Sequence, residues 1–369
     1  MRIGILTLPL HTNYGGILQA YALQTVLERM GHEVTIIDEP IRKMKTSNKA
    51  VIKRIIKKII GMKTTILWEK YLYETHPIVS QNIQPFIDKY LHRVVVESPA
   101  QLAEKDFDAI VVGSDQIWRP IYYKQIEHAY LDFAEEWKNI KRIAYAPSFG
   151  TDQWEYTEKQ TAICSKLLKL FDAVSVREES GMALCQENFG IKPSIVLDPT
   201  LLLSPSDYDN LIESSGVASP NGKLLNYVLD KSDSVTAIIA HISREKNMKA
   251  FSVNGIPLVP GGDAEDSIMP SIESWLCGFR DAEFVVTDSF HACVFSLIFN
   301  KPFCVVGNKA RGMARFNSLL KMFGQEFRMT EGLDDYYKNK ERLCKAPNVN
   351  VENSEQKKHS ISFINKVLS

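Results

Sequence analysis

Two kinds of apolar pattern alternate along the chain. Short continuous runs at residues 3–8, 34–37, 109–112, 143–146, 173–176 and 194–197 read as buried strands. Between most of them apolar residues recur every three or four positions, the spacing of a helix. The first such stripe is Ile17, Ala20, Leu23, Leu27 and Met30. It follows a polar turn at residues 11–16 and ends at Gly31, which suits a C-cap. A strand, a crossover helix and a strand within about 35 residues form a βαβ unit, which predicts a parallel sheet. Another helical stretch is expected at 157–170. Residues 204–222, rich in Ser, Pro, Asn and Gly, read as a linker. The alternation then restarts, with strands expected at 224–229, 249–253, 284–287 and 302–306. Helices are expected near 234–246, 271–280, 289–300 and 312–323, and a closing helix at 355–368. No repeat of fixed period is present.

This order predicts an α/β protein of two Rossmann-like domains facing a central cleft, over residues 1–200 and 201–350. Residues 351–369 close the chain. Ligands of such sheets bind beyond the carboxyl ends of the strands, so the cleft is the expected site. The same rule selects the polar residues that follow strands: the 11–16 turn, residues 113–116 and 147–150, Arg177, Glu178, Asp198, and residues 288–291.

One stretch breaks the alternation. Residues 42–63 hold nine Lys or Arg and no acid. Val51, Ile52, Ile55, Ile56, Ile59 and Ile60 fall on one half of a helix, and Lys53, Arg54, Lys57 and Lys58 on the other. Either this helix packs its Ile face on the core, or it meets an anionic membrane surface or partner. Composition sets the background. Lys+Arg and Asp+Glu are both 44 in 369 residues, which excludes a generally basic nucleic-acid binder. The balance hides a split, because outside 42–63 acids exceed bases by nine. The six cysteines are scattered with no C-x-x-C pair, which argues against a disulfide framework or a zinc site. The opening strand is too short for a signal-peptide core, and no run reaches the ~20 apolar residues of a membrane span. A reducing cytoplasm is the expected compartment, with contact at the inner membrane face through 42–63.

Several strand-end residues are candidates for chemistry. Asn13, Tyr14, Gly15 and Gly16 precede a helix, where glycines and free N–H groups suit an anion, or form a tight capped turn. They do not form the G-x-G-x-x-G dinucleotide fingerprint. Asp115, beside Gly113 and Ser114, suits a general acid or base, or an N-cap. His291 sits in the first turn of the apolar helix after Asp288 and Ser289, aimed at the cleft, as a functional imidazole or as a satisfied capping or core histidine. Arg177, Arg311 and Arg315 carry forks suited to phosphate or carboxylate, or to surface ion pairs.

Six segments resemble one family in the right order. They are residues 3–7 leading into Asn13-Tyr14-Gly15-Gly16 and residues 17–24, then Gly113-Ser114-Asp115-Gln116-Ile117-Trp118, residues 145–150, Ser175-Val176-Arg177-Glu178, Leu197-Asp198-Pro199-Thr200, and Thr287-Asp288-Ser289-Phe290-His291. Together they resemble the polysaccharide pyruvyl transferases, from residue 3 to about 325. Where members often carry Gly after the histidine, this chain has Ala292. The resemblance implies a GT-B-like fold whose last helix returns to the first domain. It implies transfer of pyruvate from phosphoenolpyruvate to a saccharide, forming a ketal, with no cofactor beyond that donor and no metal. His291 would be the acid/base, with Asp115 and Arg177 at the other implicated positions. Arg311, Arg315 and Ser289 with its helix N-terminus would hold the donor. Ser114, Gln116, Tyr14 and Trp118 would contact the sugar, Trp118 by stacking. A lipid-linked acceptor would give the basic helix a purpose. A nucleotide-sugar glycosyltransferase of the same fold, or a non-catalytic carbohydrate-binding protein, are the competing readings.

Overall fold

The computed structural model of the chain describes residues 1–43, 46–307 and 313–369. The first strands are β1 (Arg2–Leu6), β2 (Glu33–Asp38), β3 (Arg93–Val95), β4 (Ala109–Val112), β5 (Lys141–Ala144), β6 (Ala173–Val176) and β7 (Ser194–Ile195). They pair in parallel in the order β3-β2-β1-β4-β5-β6-β7. Then follow β8 (Leu224–Tyr227), β9 (Ala250–Phe251), β10 (Phe284–Thr287), β11 (Phe303–Val306) and β12 (Met329–Thr330). They form a second parallel sheet in the order β12-β11-β10-β8-β9. Helices cover both faces, so the central strands β4, β10 and β11 are buried along their whole length.

Each sheet has one place where the strand order reverses, between β1 and β4 and between β8 and β10. Chains leaving neighbouring strands there diverge to opposite faces and open a crevice. The segments that follow these four strands hold Asn13, Asp115 and Leu229 in loops and His291 in the first turn of a helix.

Apolar packing joins the halves. The helix Tyr14–Arg29 covers β1, and the Tyr14 ring stacks on Trp275 of the second half at 5.5 Å. The Tyr14 hydroxyl donates to the Pro270 carbonyl at 2.7 Å. Trp275 is fully buried, and enclosing such a side chain stabilises by about 1.5–3 kcal/mol. The helix Glu355–Leu368 returns to the first sheet, where Ser360 Oγ accepts from the Leu197 N–H at 2.9 Å. Lys141 Nζ donates to the Val367 carbonyl at 2.7 Å.

Some local expectations change. The stretch read as a linker contains the helix Pro205–Ser215, opened by a reciprocal cap between Ser204 and Asp207. Tyr208, Leu211 and Ile212 pack it on the core. Ser204, Pro205, Ser206 and Asp207 are its cap and first-turn residues, which composition alone does not tell from loop. The strand expected through Ala146 ends at Ala144, because Ala146 takes the left-handed conformation at φ 53°. Among the described residues no helix is long and apolar enough to cross a membrane.

Candidate active site

A cavity of about 1240 Å³ lies across the carboxyl ends of both sheets, at the two points of strand-order reversal. Two helices aim their N-termini into it, Tyr14–Arg29 from the first half and Phe290–Ile298 from the second. Neither has an acid in its first turn, and neither Asn13 nor Ser289 caps its helix with its side chain. The Asn13 amide donates instead to Asp115 Oδ2 at 3.2 Å. Two positive helix ends therefore meet at one place, an arrangement that favours an anion between them.

His291 lies at this meeting point. A Cβ on Gly15 would come 1.9 Å from His291 Nδ1, so the imidazole occupies space that only glycine leaves open. On its other side, His291 Nε2 is 3.6 Å from Asp198 Oδ2. That is beyond hydrogen-bond distance. Asp198 accepts from the Thr200 N–H at 3.0 Å and from Thr200 Oγ1 at 2.6 Å. It also takes a hydrogen bond from Arg177 Nη1. Burial works against the ionised Asp198, but His291, Arg177 and Thr200 outweigh it and hold its carboxyl well below the usual carboxylate range.

Arg177 is the hub behind this wall. Besides Asp198, its Nη2 is 3.5 Å from Asp115 Oδ1 and its Nε 3.7 Å from Glu178 Oε2. Its guanidinium lies over the Phe290 ring at 4.4 Å. Arg315 approaches the same ring at 5.5 Å and lines the cavity. Burial, reinforced by the charge of Arg177, pushes the Arg315 guanidinium down to about 10, so it stays charged at neutral pH. Four buried atoms of this cluster have no hydrogen-bond partner among the described residues: His291 Nε2, Arg177 Nε, Arg315 Nε and Glu178 Oε2. Orphaned buried polar atoms are rare; Arg177 Nε and Glu178 Oε2 face each other at 3.7 Å behind the wall, which leaves His291 and Arg315 as the two on the cavity that a polar ligand could reach.

The structure brings Asn13, Gly15, Asp115, Gln116, Ser289, His291 and Arg315 together on the cavity wall. Other expected ligand contacts are corrected. Trp118 is fully buried, stacks on Tyr130 at 4.9 Å and donates Nε1–H to the Ala129 carbonyl at 3.1 Å. It is a core residue and offers no platform to a sugar. Ser114 is also fully buried, its hydroxyl donating to the Ala146 carbonyl at 2.8 Å and its N–H to Gln19 Oε1 at 2.9 Å. It braces the turn that presents Asp115, which itself sits at φ 56°. Tyr14 borders the cavity, but its hydroxyl is committed to Pro270. Gly16 lies one turn position inside the helix, against the Asn13 amide rather than the cavity. Arg177, expected to bind an anion, is shared among three carboxylates and lies behind the wall. Arg311 lies outside the described residues.

Asp198 and Glu178 were legible as strand-end acids but carried no expected role. Their signals were position after a strand of the first sheet and a place in two of the six segments that resemble the family. Only the packing of the two halves gives Asp198 its second partner, His291.

No curated protein matches the sequence. Among solved structures, Staphylococcus aureus MnaA with UDP is similar at 9% identity and a TM-score of 0.50, covering 100% of this chain and 96% of that one. UDP-GlcNAc 2-epimerase from Neisseria meningitidis bound to UDP-GlcNAc is similar at 12% identity and a TM-score of 0.48, covering 99% and 100%. The Methanocaldococcus jannaschii UDP-GlcNAc 2-epimerase stands at 13% and 0.48, covering 100% and 99%. At such identities the likeness is one of fold alone, two parallel α/β halves around one cleft in the GT-B-like manner. The sequence pattern of the polysaccharide pyruvyl transferases matches residues 13–310, which take in both helix N-termini, Asp115, Arg177, Asp198 and His291. The chain belongs to the polysaccharide pyruvyl transferase family.

Proposed function

We propose that the protein transfers the pyruvyl group of phosphoenolpyruvate to two hydroxyls of a saccharide, forming a ketal in the assembly of an exported or surface polysaccharide. The observation that carries this reading is the convergence of two uncapped helix N-termini on His291 and Gly15, with Arg315 beside them. Phosphoenolpyruvate carries a phosphate and a carboxylate on three carbons. It needs cationic and N–H donors from more than one direction, and this arrangement supplies them.

The chemistry balances as follows. A sugar hydroxyl oxygen bonds to C2 of the donor while C3 takes a proton. The C2–O bond to phosphate breaks, and a second hydroxyl oxygen bonds to C2. Of the two hydroxyl protons, one is balanced by the new methyl hydrogen and the other leaves on inorganic phosphate. His291 is the acid/base that exchanges these protons. Asp198 acts through His291 and is a positioning residue. Arg177 fixes Asp198, Asp115 and Glu178 in place. Asp115, across the cavity and held by Asn13, is the partner base or a sugar ligand. Donor sites of small molecules occupy about 300–1,000 Å³. The cavity exceeds this range, and its lining extends to Lys231, Thr236, Ser252 and Asn254 of the second half, which leaves room for the saccharide. The six free cysteines suit a reducing compartment, and the cytoplasm is the proposed site of reaction.

Calorimetry with phosphoenolpyruvate tests the reading. Binding is expected for the wild type, and Arg315→Gln should weaken it roughly tenfold to hundredfold, the loss of one charged hydrogen-bonding group. Phosphate release should then require an added saccharide. Binding of a nucleotide sugar with none of phosphoenolpyruvate would overturn the reading.

A further inference from the structure

We propose that the exposed face of the helix Asn48–Ile59, together with the nearby loop around Val259, docks on the surface of an anionic phospholipid bilayer and brings the cavity mouth to that surface. The helix is capped by Ser47, whose hydroxyl accepts from the Ala50 N–H. It is tied to the body through Arg54, which donates to Glu69 at 2.6 and 2.9 Å and to the Ile66 carbonyl at 3.2 Å. That contact fixes which side faces inward. Arg54 and Lys57 lie on the half-buried side. The isoleucines are turned out, with Ile52 58%, Ile56 55% and Ile59 77% exposed, and no residue of the helix is buried. The expectation that the Ile face packs on the core is therefore excluded.

Single exposed apolar residues are ordinary, but a contiguous stripe marks a surface with a partner. Its flanks say which partner. Lys49, Lys53 and Lys58 are exposed and make no ion pair among the described residues, and residues 42–63 contain no acid. A convex helix, apolar on its outer face and basic at its flanks, matches the headgroup layer of an anionic bilayer in both chemistries. The segment that follows the helix is also tied to a loop of the second half. The Gly261 N–H donates to Thr65 Oγ1 at 2.9 Å, and Tyr71 Oη donates to the Gly262 carbonyl at 2.9 Å. On that loop Val259 is 54% exposed and Ile256 66% exposed, and Ile256 with Pro257 lines the cavity. A surface bound by the helix thus lies next to the entrance. Resting on the proposed pyruvyl transfer, this makes the acceptor a saccharide carried on a lipid.

Flotation of the full chain with vesicles tests the proposal. Binding is expected to vesicles of phosphatidylcholine mixed with phosphatidylglycerol, not to phosphatidylcholine alone, and should fall with salt. Lys53→Glu with Lys58→Glu should lower partitioning at least about 25-fold, at roughly fivefold per charge near the surface. Ile56→Asp with Ile59→Asp should abolish it. Both pairs should leave phosphate release with a soluble saccharide unchanged, since neither touches the cavity. No vesicle binding, or binding that ignores lipid charge, overturns the proposal and leaves the pyruvyl-transfer reading standing. So does a dimer that Ile59→Asp splits, which would assign the stripe to a second copy of the chain. Vesicle binding as expected, with no phosphate release on any saccharide, supports docking and counts against the enzyme reading instead.

Discussion

The cluster around Arg177 and the helix Asn48–Ile59 are both rich in charge, and they use it in opposite ways. In the cluster every charge is buried, and Arg177 and its three carboxylates meet one another. Arg177 is 4% exposed and is surrounded by Asp115, Glu178 and Asp198. Such charges are strongly coupled, because little water screens them, and their cost is repaid only by fixed geometry. On the helix, Arg54 is tied to Glu69, and Lys49, Lys53 and Lys58 stand in solvent. Screened charges of that kind set no geometry and contribute little to folding. Their energy is available to a partner outside the molecule. The difference teaches where to look for each kind of function: chemistry where charges are over-determined, and docking where they are left unpaired.

The contrast can be broken or sharpened by four substitutions, the largest effect first. His291→Ala should lower ketal formation about a thousandfold, within the usual range for loss of an acid/base, while circular dichroism stays native. Ketal formation near the wild-type rate would remove the cluster from the chemistry.

Asp198→Asn should destabilise by about 3 kcal/mol in chemical denaturation, since it leaves Arg177 short of its closest partner. The pH dependence follows from the direction of the shift. A carboxyl depressed on folding contributes fully above its unfolded pKa of about 3.9 and loses that contribution as pH falls toward the lower folded value. The gap between wild type and variant should therefore be constant above about pH 4 and narrow below it. A gap that changes between pH 5 and 8 would instead implicate a histidine.

Gly15→Ala should cost about a hundredfold in kcat with a smaller change in KM, because the new Cβ must push the imidazole out of line. An unchanged rate would mean that the position of His291 against the first half is not needed. Trp118→Phe should have the smallest effect, a loss of about 1–3 kcal/mol in thermal stability from the orphaned Ala129 carbonyl. The acceptor KM should not move. A raised KM would restore Trp118 as a sugar contact.

Much of the fold was legible in the chain, for a local reason. Buried parallel strands are short apolar runs, and their crossover helices carry a clear three-to-four-residue stripe, as in residues 17–30. The strand-end rule then found Asn13, Asp115 and His291, because chain position on a doubly wound sheet fixes which end faces the crevice. It failed for Trp118 and Ser114. Both flank Asp115 in the segment after β4, but the Ser114 hydroxyl is spent on the Ala146 carbonyl and the Trp118 indole on the Ala129 carbonyl, so both side chains lie in the core. It also failed for the helix Pro205–Ser215, whose cap residues imitate a linker.

The amino-acid sequence by itself determined two parallel α/β halves, a basic amphipathic helix and a set of polar residues at strand ends. Each of these is written in spacing along a few dozen neighbouring residues. Only the tertiary structure decided that Asp198 joins Arg177 to His291, that Gly15 makes room for the imidazole, and that the isoleucines of the basic helix face outward. Those three facts depend on how elements far apart in the chain are oriented against each other. That orientation is set by long-range packing, such as Tyr14 on Trp275 and Arg54 on Glu69, which leaves no periodic trace in the sequence.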